Sequence, residues 1–261
     1  MKKIAVLSLS GGMDSTCLLV HLLELGFEVH CISFDYGQKH KVELERAKQN
    51  ILYLTDQKLP VQHQIVNLSS IMGLFESALT TPGVDVPEGH YEQENMKLTV
   101  VPNRNAIFSA IIYGYALSLG TKYNTSVNIS LGIHSGDHAV YPDCRPEFRD
   151  ALEHAFKIGN WESEKVSYYV PYLEGNKTSI LEDCLINCDK LRLDFDIVLR
   201  NTNTSYNPDS EGRSSGKSGA DIERIEAFIN IGRKDPVEYQ SNWEEVVAHA
   251  KQILTNERET N

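Results

Sequence analysis

The first 34 residues follow the order strand, turn, helix and strand. Residues 4–9 form an apolar run of strand length, residues 17–26 are apolar nearly all round, and residues 29–34 form a second apolar run. Strands without polar alternation are typical of parallel sheets that are covered by helices on both faces. The segment between the two runs suits a buried crossover helix that ends at Gly26. This order predicts a βαβ unit with a right-handed crossover.

The rest of the chain continues the alternation of strands and helices. The patterns predict strands at residues 61–66 and 127–133 and helices at residues 42–54, 105–119, 146–158, 177–187, 221–231 and 243–254. We therefore expect a doubly wound, mostly parallel α/β sheet in residues 1–200. A small, mostly helical C-terminal part is expected in residues 201–261. Residues 80–97 are predicted to be a long loop and residues 201–219 a mobile one.

Composition and charge limit the classes of function. The chain has 25 Lys and Arg against 36 Asp and Glu, so its formal net charge is −11. That excess of negative charge disfavours broad binding to nucleic acid. No apolar stretch approaches the roughly 20 residues of a membrane span. The first residues do not have the pattern of a signal peptide. The number of cysteines, five, is odd. We expect a cytoplasmic protein with no membrane association and no direct nucleic-acid binding.

The turn between the first strand and the first helix carries the strongest chemical signal. Its residues are Ser10, Gly11, Gly12, Met13, Asp14, Ser15 and Thr16. Adjacent glycines let the backbone approach an anion, and the free amides at a helix start point towards it. The helix dipole favours phosphate oxygens there, and three hydroxyl groups add donors. A plain capped turn is the simpler alternative, but the complete string in this position favours a phosphate-binding loop.

Two rival nucleotide-binding patterns are excluded. The fingerprint G-x-G-x-x-G is absent from the chain. Residues 212–218 imitate a Walker A loop, but three residues separate the glycines instead of four, and no strand is predicted before them. A solvated serine–glycine linker is the better interpretation of that segment.

Four further strings accompany the loop at characteristic spacings. Residues 34–40 read Phe-Asp-Tyr-Gly-Gln-Lys-His, residues 101–105 read Val-Pro-Asn-Arg-Asn, residues 132–137 read Gly-Ile-His-Ser-Gly-Asp, and residues 141–145 read Tyr-Pro-Asp-Cys-Arg. In order and spacing over roughly residues 3–230, the loop and these strings resemble the QueC family of PP-loop ATP pyrophosphatases.

The resemblance implies a Rossmann-like (HUP-type) fold and an ATP-dependent C–N ligase that forms AMP and pyrophosphate. QueC-like proteins take 7-carboxy-7-deazaguanine, Mg²⁺-ATP and ammonia, and they make an amide and then the nitrile preQ0, a precursor of queuosine. The cofactors implied for this chain are ATP and Mg²⁺, and a homodimer is the expected assembly.

The resemblance also assigns roles to residues. The loop from Ser10 to Thr16 would hold the pyrophosphate, and Phe34, Tyr36 and Gln38 would lie near the nucleoside. The acid and nucleobase end would be lined by Arg104, Asn105, Asp137, Asp143 and Arg145. The catalytic set would be Asp14, Arg104, Asp143, Arg145 and Lys177. A carboxylate suits the donor-rich edge of guanine, and the two cations Arg104 and Lys177 would offset charge on the leaving pyrophosphate. A surface ion pair is the simpler alternative for each charged residue.

Three other polar residues receive no chemical role. His134 and His138 are four residues apart, but loop polarity is a better explanation than a metal pair. Cys144 has no evident base beside it, so a packing or pocket role is preferred over a nucleophile.

The chain departs from the family in residues 201–224. QueC proteins usually carry four zinc-binding cysteines, and the matching positions here are Ser205, Ser215, Ser218 and Asp221. Serine hydroxyls are poor zinc ligands beside thiolates. We therefore expect no structural zinc and no metal-binding residue in this segment. Without zinc, the loop at residues 201–219 must be held by hydrogen bonds or by a partner, or be mobile.

This divergence leaves the nitrogen acceptor open. Ammonia, which would give preQ0, is narrowly preferred. QueC-like proteins of anti-phage systems, including type IV CBASS, are thought to pass the adenylated acid to a protein amine, which is the close alternative. A tRNA-thiolating enzyme is disfavoured by the net charge and by the lack of a Cys-x-x-Cys pair. A silent nucleotide-binding subunit is disfavoured because residues 10–15 and 141–145 are intact.

Overall fold

The computed structural model describes residues 2–38, 41–77, 100–134, 142–205 and 208–260. Within these residues, five parallel strands form one sheet in the order β3-β2-β1-β4-β5. The strands are β1 (Ile4–Ser8), β2 (Glu28–Asp35), β3 (Val61–Asn67), β4 (Val127–Ser130) and β5 (Val166–Tyr168). The strand order reverses between β1 and β4. Open α/β sheets bind ligands at such a switch point, beyond the carboxyl ends of the strands.

Helices follow the strands along the chain and cover both faces of the sheet, which gives the Rossmann-like α/β fold that the sequence predicts. They are α1 (Met13–Glu24), α2 (Val42–Asp56), α3 (Ser69–Met72), α4 (Arg104–Tyr123), α5 (Pro146–Gly159), α6 (Lys177–Leu191), α7 (Phe195–Arg200), α8 (Gly219–Asn230) and α9 (Trp243–Thr260). Short 3₁₀ turns lie at Pro142–Cys144 and Ser163–Lys165. Across the described part of the chain, no helix has the length and apolar character needed to cross a membrane.

The central strand β1 explains the apolar run at the start of the chain. Ala5 and Leu7 belong to one buried cluster with residues of α1 and α6, whereas Ile4 and Val6 belong to a second cluster with residues of α4. All four side chains are fully buried. Because successive residues of a strand point to opposite faces, a strand covered on both faces has no polar position.

In the described part of residues 201–219, buried polar residues hold the chain, which agrees with the hydrogen-bonded alternative for this loop. Thr202, Asn203 and Ser205 are buried, and Ser214 forms a β-bridge with Tyr239. Beyond this segment, α8 contributes residues such as Phe228 to the same buried cluster as α1 and α6. Thr202, Asn203, Ser205, Ser215 and Ser218 all use side-chain hydroxyl or amide groups in hydrogen bonds within the protein. The domain boundary at residue 200 stays a prediction.

Candidate active site

The predicted phosphate-binding loop joins β1 to α1 at the switch point of the sheet. Gly11 has a φ of 90°, Gly12 is extended, and the helix begins at Met13. Inside the loop, the Gly12 N–H donates to Ser10 Oγ at 3.1 Å, and Ser10 Oγ lies 2.9 Å from Ser15 Oγ. The first N–H groups of a helix have no intrahelical acceptor and lie at the positive end of its dipole. The loop therefore has the geometry of an anion site.

Neighbouring backbone holds this loop closely from outside. A Cβ atom on Gly11 would collide with the backbone carbonyl of Glu43, and a Cβ on Gly132 would lie 2.8 Å from the Ser15 nitrogen. The Asn203 N–H donates to the Gly11 carbonyl at 2.9 Å. Segments that follow β2 and β4, together with the residue-203 segment, thus fix the loop, and two of these contacts require glycine.

Two loop residues contribute packing. The Met13 and Thr16 side chains are fully buried, and Met13 belongs to the cluster formed by α1 and α6. Among the described residues, Thr16 Oγ1 has no hydrogen-bond partner. The predicted role of these two residues in binding stays a prediction.

A charged cluster lies beneath the loop and involves three distant segments. The Lys177 Nζ atom lies 3.1 Å from Asp14 Oδ2, 2.8 Å from His134 Nε2 and 3.3 Å from Glu223 Oε2. Lys177 and His134 are both buried. Because an ammonium group only donates, His134 Nε2 is the acceptor of its hydrogen bond with Lys177. Lys177 thereby orients the Asp14 carboxylate.

The second oxygen of Asp14 fits a magnesium ion. Within the described residues, Asp14 Oδ1 is buried and has no hydrogen-bond partner. Mg²⁺ prefers oxygen ligands and usually takes one or two carboxylates together with phosphate oxygens of the substrate. A carboxylate oxygen left without a partner on a phosphate-binding loop provides that chemistry.

A cavity of about 240 Å³ opens beside the loop. Ser10 and Ser15 line it, so the cavity is continuous with the phosphate site. Its other lining residues come from β1, α4, the segment after β4, the 3₁₀ turn before α5, α5 itself and β5. The apolar ones include Phe108, Ile112, Phe148, Leu152 and Tyr168, and the polar ones include Arg104, Asn105, Asp143 and Arg149.

Most of the residues predicted for the acid end meet at this cavity. The Arg104 guanidinium lies over the Tyr36 ring, 5.6 Å from its centre. Asn105 Nδ2 donates to Cys144 Sγ at 3.7 Å, and Cys144 both lines the cavity and packs against Ala220. Arg149, on α5, lines the cavity. Arg145 is the exposed N-cap residue of the same helix. Asp137 lies outside the described residues.

Residues predicted near the nucleoside shape the segment after β2. The Phe34 ring is buried and stacks on Phe108 at 4.0 Å between ring centres. Gln38 accepts from the Tyr36 N–H at 2.9 Å and donates to the Phe34 carbonyl at 3.2 Å. Gln38 therefore ties its own turn together and supports the wall that Phe108 presents to the cavity.

Four site residues were given no role by the sequence. Glu43, His134, Arg149 and Glu223 all lie in or beside the cluster and the cavity. Burial raises the pKa of the Glu43 carboxyl to about 7. The nearby Arg104 and a hydrogen bond with Asn203 offset part of the rise. Glu43 and His134 stand in or next to the quoted strings, but their partners are more than 40 residues away in sequence. Spacing alone could not identify them.

The fold, the loop at the switch point and the adjoining cavity define an ATP pyrophosphatase of the PP-loop type, an ATP-dependent ligase. The family described as queuosine biosynthesis protein QueC matches residues 4–232. The chain belongs to the QueC family.

Curated relatives cover nearly the whole chain. A 7-cyano-7-deazaguanine synthase from Methanoregula boonei is 44% identical over 90% of this chain and 99% of its own length. The corresponding protein of Marinomonas sp. is 41% identical over 92% of this chain and 100% of its own. The 7-cyano-7-deazaguanine synthase 1 of Colwellia psychrerythraea is 42% identical with the same coverage.

Proposed function

We propose that the protein adenylates 7-carboxy-7-deazaguanine with Mg²⁺-ATP and transfers the acyl group to ammonia, giving first the amide and then the nitrile preQ0. The observation that supports this most strongly is the cavity itself. It joins the hydroxyls of the phosphate-binding loop to a chamber with aromatic walls and a carboxylate. The family and the names of its curated relatives support the same reaction.

The chamber suits a flat, donor-rich ring. Phe108, Phe148 and Tyr168 provide aromatic surface for a bicyclic base. The Asp143 carboxylate can accept two parallel N–H bonds from a guanine-type edge. In this arrangement the substrate carboxylate would lie towards Arg104, on the side of the phosphate loop.

Adenylation needs an anion site for the leaving group. A substrate carboxylate oxygen attacks the α-phosphorus of ATP, and the bond to pyrophosphate breaks. The N–H groups at the start of α1 and the hydroxyls of Ser10 and Ser15 bind the pyrophosphate, and Arg104 offsets its growing charge. Asp14 Oδ1 would hold the Mg²⁺ of Mg²⁺-ATP, which neutralises phosphate charge.

The acyl-adenylate then reacts with nitrogen. Ammonia attacks the acyl carbon, and AMP leaves with one of the former carboxylate oxygens. In the second round the amide oxygen attacks another ATP, and loss of AMP and of the nitrogen-bound protons leaves the nitrile. A neutral amine of any source could attack the same adenylate, so the acceptor is decided by what reaches the cavity.

The test is an assay of purified protein with Mg²⁺-ATP and 7-carboxy-7-deazaguanine, with and without ammonium. AMP, pyrophosphate and the mass of the base are followed together. Acid-dependent AMP with amide and nitrile products supports the proposal. Acid-dependent AMP without either product overturns ammonia as acceptor and favours a protein amine. Absence of AMP under all conditions contradicts adenylation.

Matched variants locate the base in the cavity. Asp143→Asn keeps the shape but replaces one acceptor oxygen with a donor, so the KM for the acid should rise by about tenfold or more, with a smaller change in the KM for ATP. Glu147→Gln, an exposed residue in the first turn of α5, is the control and should leave both constants unchanged. If both variants changed the KM for the acid equally, Asp143 would not be part of the site that binds the base.

A further inference from the structure

Four side chains near the start of α8 form a largely buried hydrogen-bonded cluster. We call Ser205, Ser215, Ser218 and Asp221 the Asp221 cluster. Ser205 Oγ donates to Asp221 Oδ2 at 2.9 Å, and Ser215 Oγ donates to the same oxygen at 2.8 Å. The Gly216 and Ser218 N–H groups donate to it as well, at 3.1 and 3.3 Å. Asp221 is fully buried.

A zinc ion, which the family resemblance implies at these positions, does not fit this arrangement. One carboxylate oxygen already accepts four hydrogen bonds at the centre of the cluster. Serine hydroxyls are weak donors to zinc, and structural zinc sites use thiolate sulfur and imidazole nitrogen. In the described part of the chain, no group of three or more His, Cys, Asp or Glu residues is placed to hold a metal.

The start of a helix explains why the central residue is an aspartate. Asp221 is the third residue of α8, and its N–H donates to Ser218 Oγ in a capping box. A carboxylate is stabilised by the positive end of a helix dipole and by backbone N–H donors. Charge-assisted hydrogen bonds to two hydroxyls and two N–H groups compensate its removal from water. Its other oxygen, Oδ1, has no hydrogen-bond partner among the described residues.

The cluster is connected to the phosphate-binding loop through Asn203. The Asn203 side chain donates to the Ser205 carbonyl at 3.0 Å, and its backbone N–H donates to the Gly11 carbonyl at 2.9 Å. A Cβ on Gly12 would lie 3.5 Å from the Asn203 carbonyl oxygen. The cluster therefore fixes Ser205, Ser205 is bonded to Asn203, and Asn203 lies against both loop glycines.

We propose that the Asp221 cluster is a metal-free clip that holds Asn203 against the phosphate-binding loop, so that Asp221 and Asn203 are positioning residues for the nucleotide. In this clip, the Asp221 carboxylate stands in the place where the family resemblance implies a metal ion. Its effect on the nucleotide rests on the proposed function, whereas its independence of metal does not.

Metal content and thermal unfolding test the clip without reference to activity. Protein purified without chelators is analysed for metals by mass spectrometry, and its unfolding is followed with and without EDTA. The expected results are less than stoichiometric metal and an unchanged Tm. One equivalent of zinc or another divalent metal per chain, lost together with thermal stability on chelation, would overturn the metal-free clip.

Nucleotide affinity tests the positioning role. Binding of a non-hydrolysable ATP analogue is measured by calorimetry for wild type, Asp221→Asn and Asn203→Ala. Both variants should raise the Kd about fivefold or more. Asn203→Ala keeps the cluster itself, so it serves if Asp221→Asn fails to fold.

The matched control is Asp209→Asn in the same segment. Asp209 also accepts backbone N–H bonds, from Glu211 and Arg213, but these bonds close its own partly exposed turn. The Kd of Asp209→Asn for the ATP analogue should equal that of the wild type. Folded Asn203→Ala protein with wild-type affinity would overturn the positioning role. If the wild type itself does not bind the analogue, the proposed function fails, and the metal measurement still decides the clip.

Discussion

Single atoms determine the shape of the nucleotide site. A residue with a Cβ does not fit at position 132, because that atom would collide with the backbone of Ser15. At position 11 it would collide with the Glu43 carbonyl. These contacts join β4 and α2 to the loop, so each glycine carries a constraint that its own neighbours in sequence do not show.

Gly132→Ala should damage nucleotide use while the protein remains folded. The new Cβ meets backbone at 2.8 Å, so the loop must shift by a fraction of an ångström. We expect kcat/KM for ATP to fall about ten- to a hundredfold. Gly114→Ala on α4 is the control, since apart from the neighbouring helix backbone no described atom lies within 4 Å of its Cβ. It should stabilise the helix by about 0.5–1 kcal/mol. Equal kinetics for both variants would contradict the close contact.

Glu43 should make stability depend on pH between its unfolded and folded pKa values. Burial raises the pKa of this carboxyl from 4.5 to about 7, so the folded protein holds the proton more tightly. The resulting stabilisation is fully present below the unfolded pKa of 4.5 and is lost as pH rises through about 7. Between these values the wild type should lose about 1–3 kcal/mol of unfolding free energy that Glu43→Gln does not lose.

Urea unfolding at a series of pH values measures this difference. Glu45→Gln is the control, because Glu45 is exposed and forms a surface ion pair with Lys48. Its pH dependence should match that of wild type. If the unfolding free energy of Glu43→Gln changed with pH as steeply as that of the wild type, the Glu43 carboxyl would have an ordinary pKa.

At the scale of elements, α8 is held to the segment before it by one buried arginine. Arg224 makes two bonds to Asp235, at 2.6 and 2.9 Å, and both side chains are almost fully buried. Its remaining N–H groups donate to Thr202, Thr204 and the Leu199 carbonyl. The guanidinium therefore anchors the same segment that carries Asn203 to the loop.

Removing one partner of this pair should be costly. Arg224→Met leaves the Asp235 carboxylate buried without its cation, so we expect a loss of about 3–5 kcal/mol in unfolding free energy. The exposed pair Arg233–Asp196 is the matched control, and Arg233→Met should cost less than about 1 kcal/mol. Denaturant unfolding of the two variants compares them directly, and equal losses would show that burial does not set the strength of the pair.

The elements that pattern could predict are the long ones. The apolar run of β1 and the periodic helices α2, α4 and α6 were predicted from sequence with errors at their ends, because burial of whole faces sets the pattern. The strand β5 was missed because three residues are too few for a pattern. The sequence could not decide between mobility and internal hydrogen bonding for residues 201–219, because a polar segment that bonds internally has the composition of a solvated loop.

At the scale of the whole molecule, the site is assembled from segments that are far apart in sequence. The loop at residues 10–16, Arg104, Gly132, Asp143 and Lys177 meet at the carboxyl ends of β1 and β4. Most of these residues belong to the quoted strings, because each string follows a strand or opens a helix at the switch point. Pairings such as Lys177 with His134 could not be predicted, since they depend on how helices pack after the sheet has formed.

Oxygen-18 labelling tests adenylation of the carboxylate most directly. The protein is incubated with Mg²⁺-ATP, ammonium and 7-carboxy-7-deazaguanine labelled in both carboxylate oxygens, and the AMP is analysed by mass spectrometry. Attack by the carboxylate on the α-phosphorus predicts one labelled oxygen in each AMP from both rounds of the reaction. Unlabelled AMP, or ADP with labelled phosphate, would contradict an acyl-adenylate.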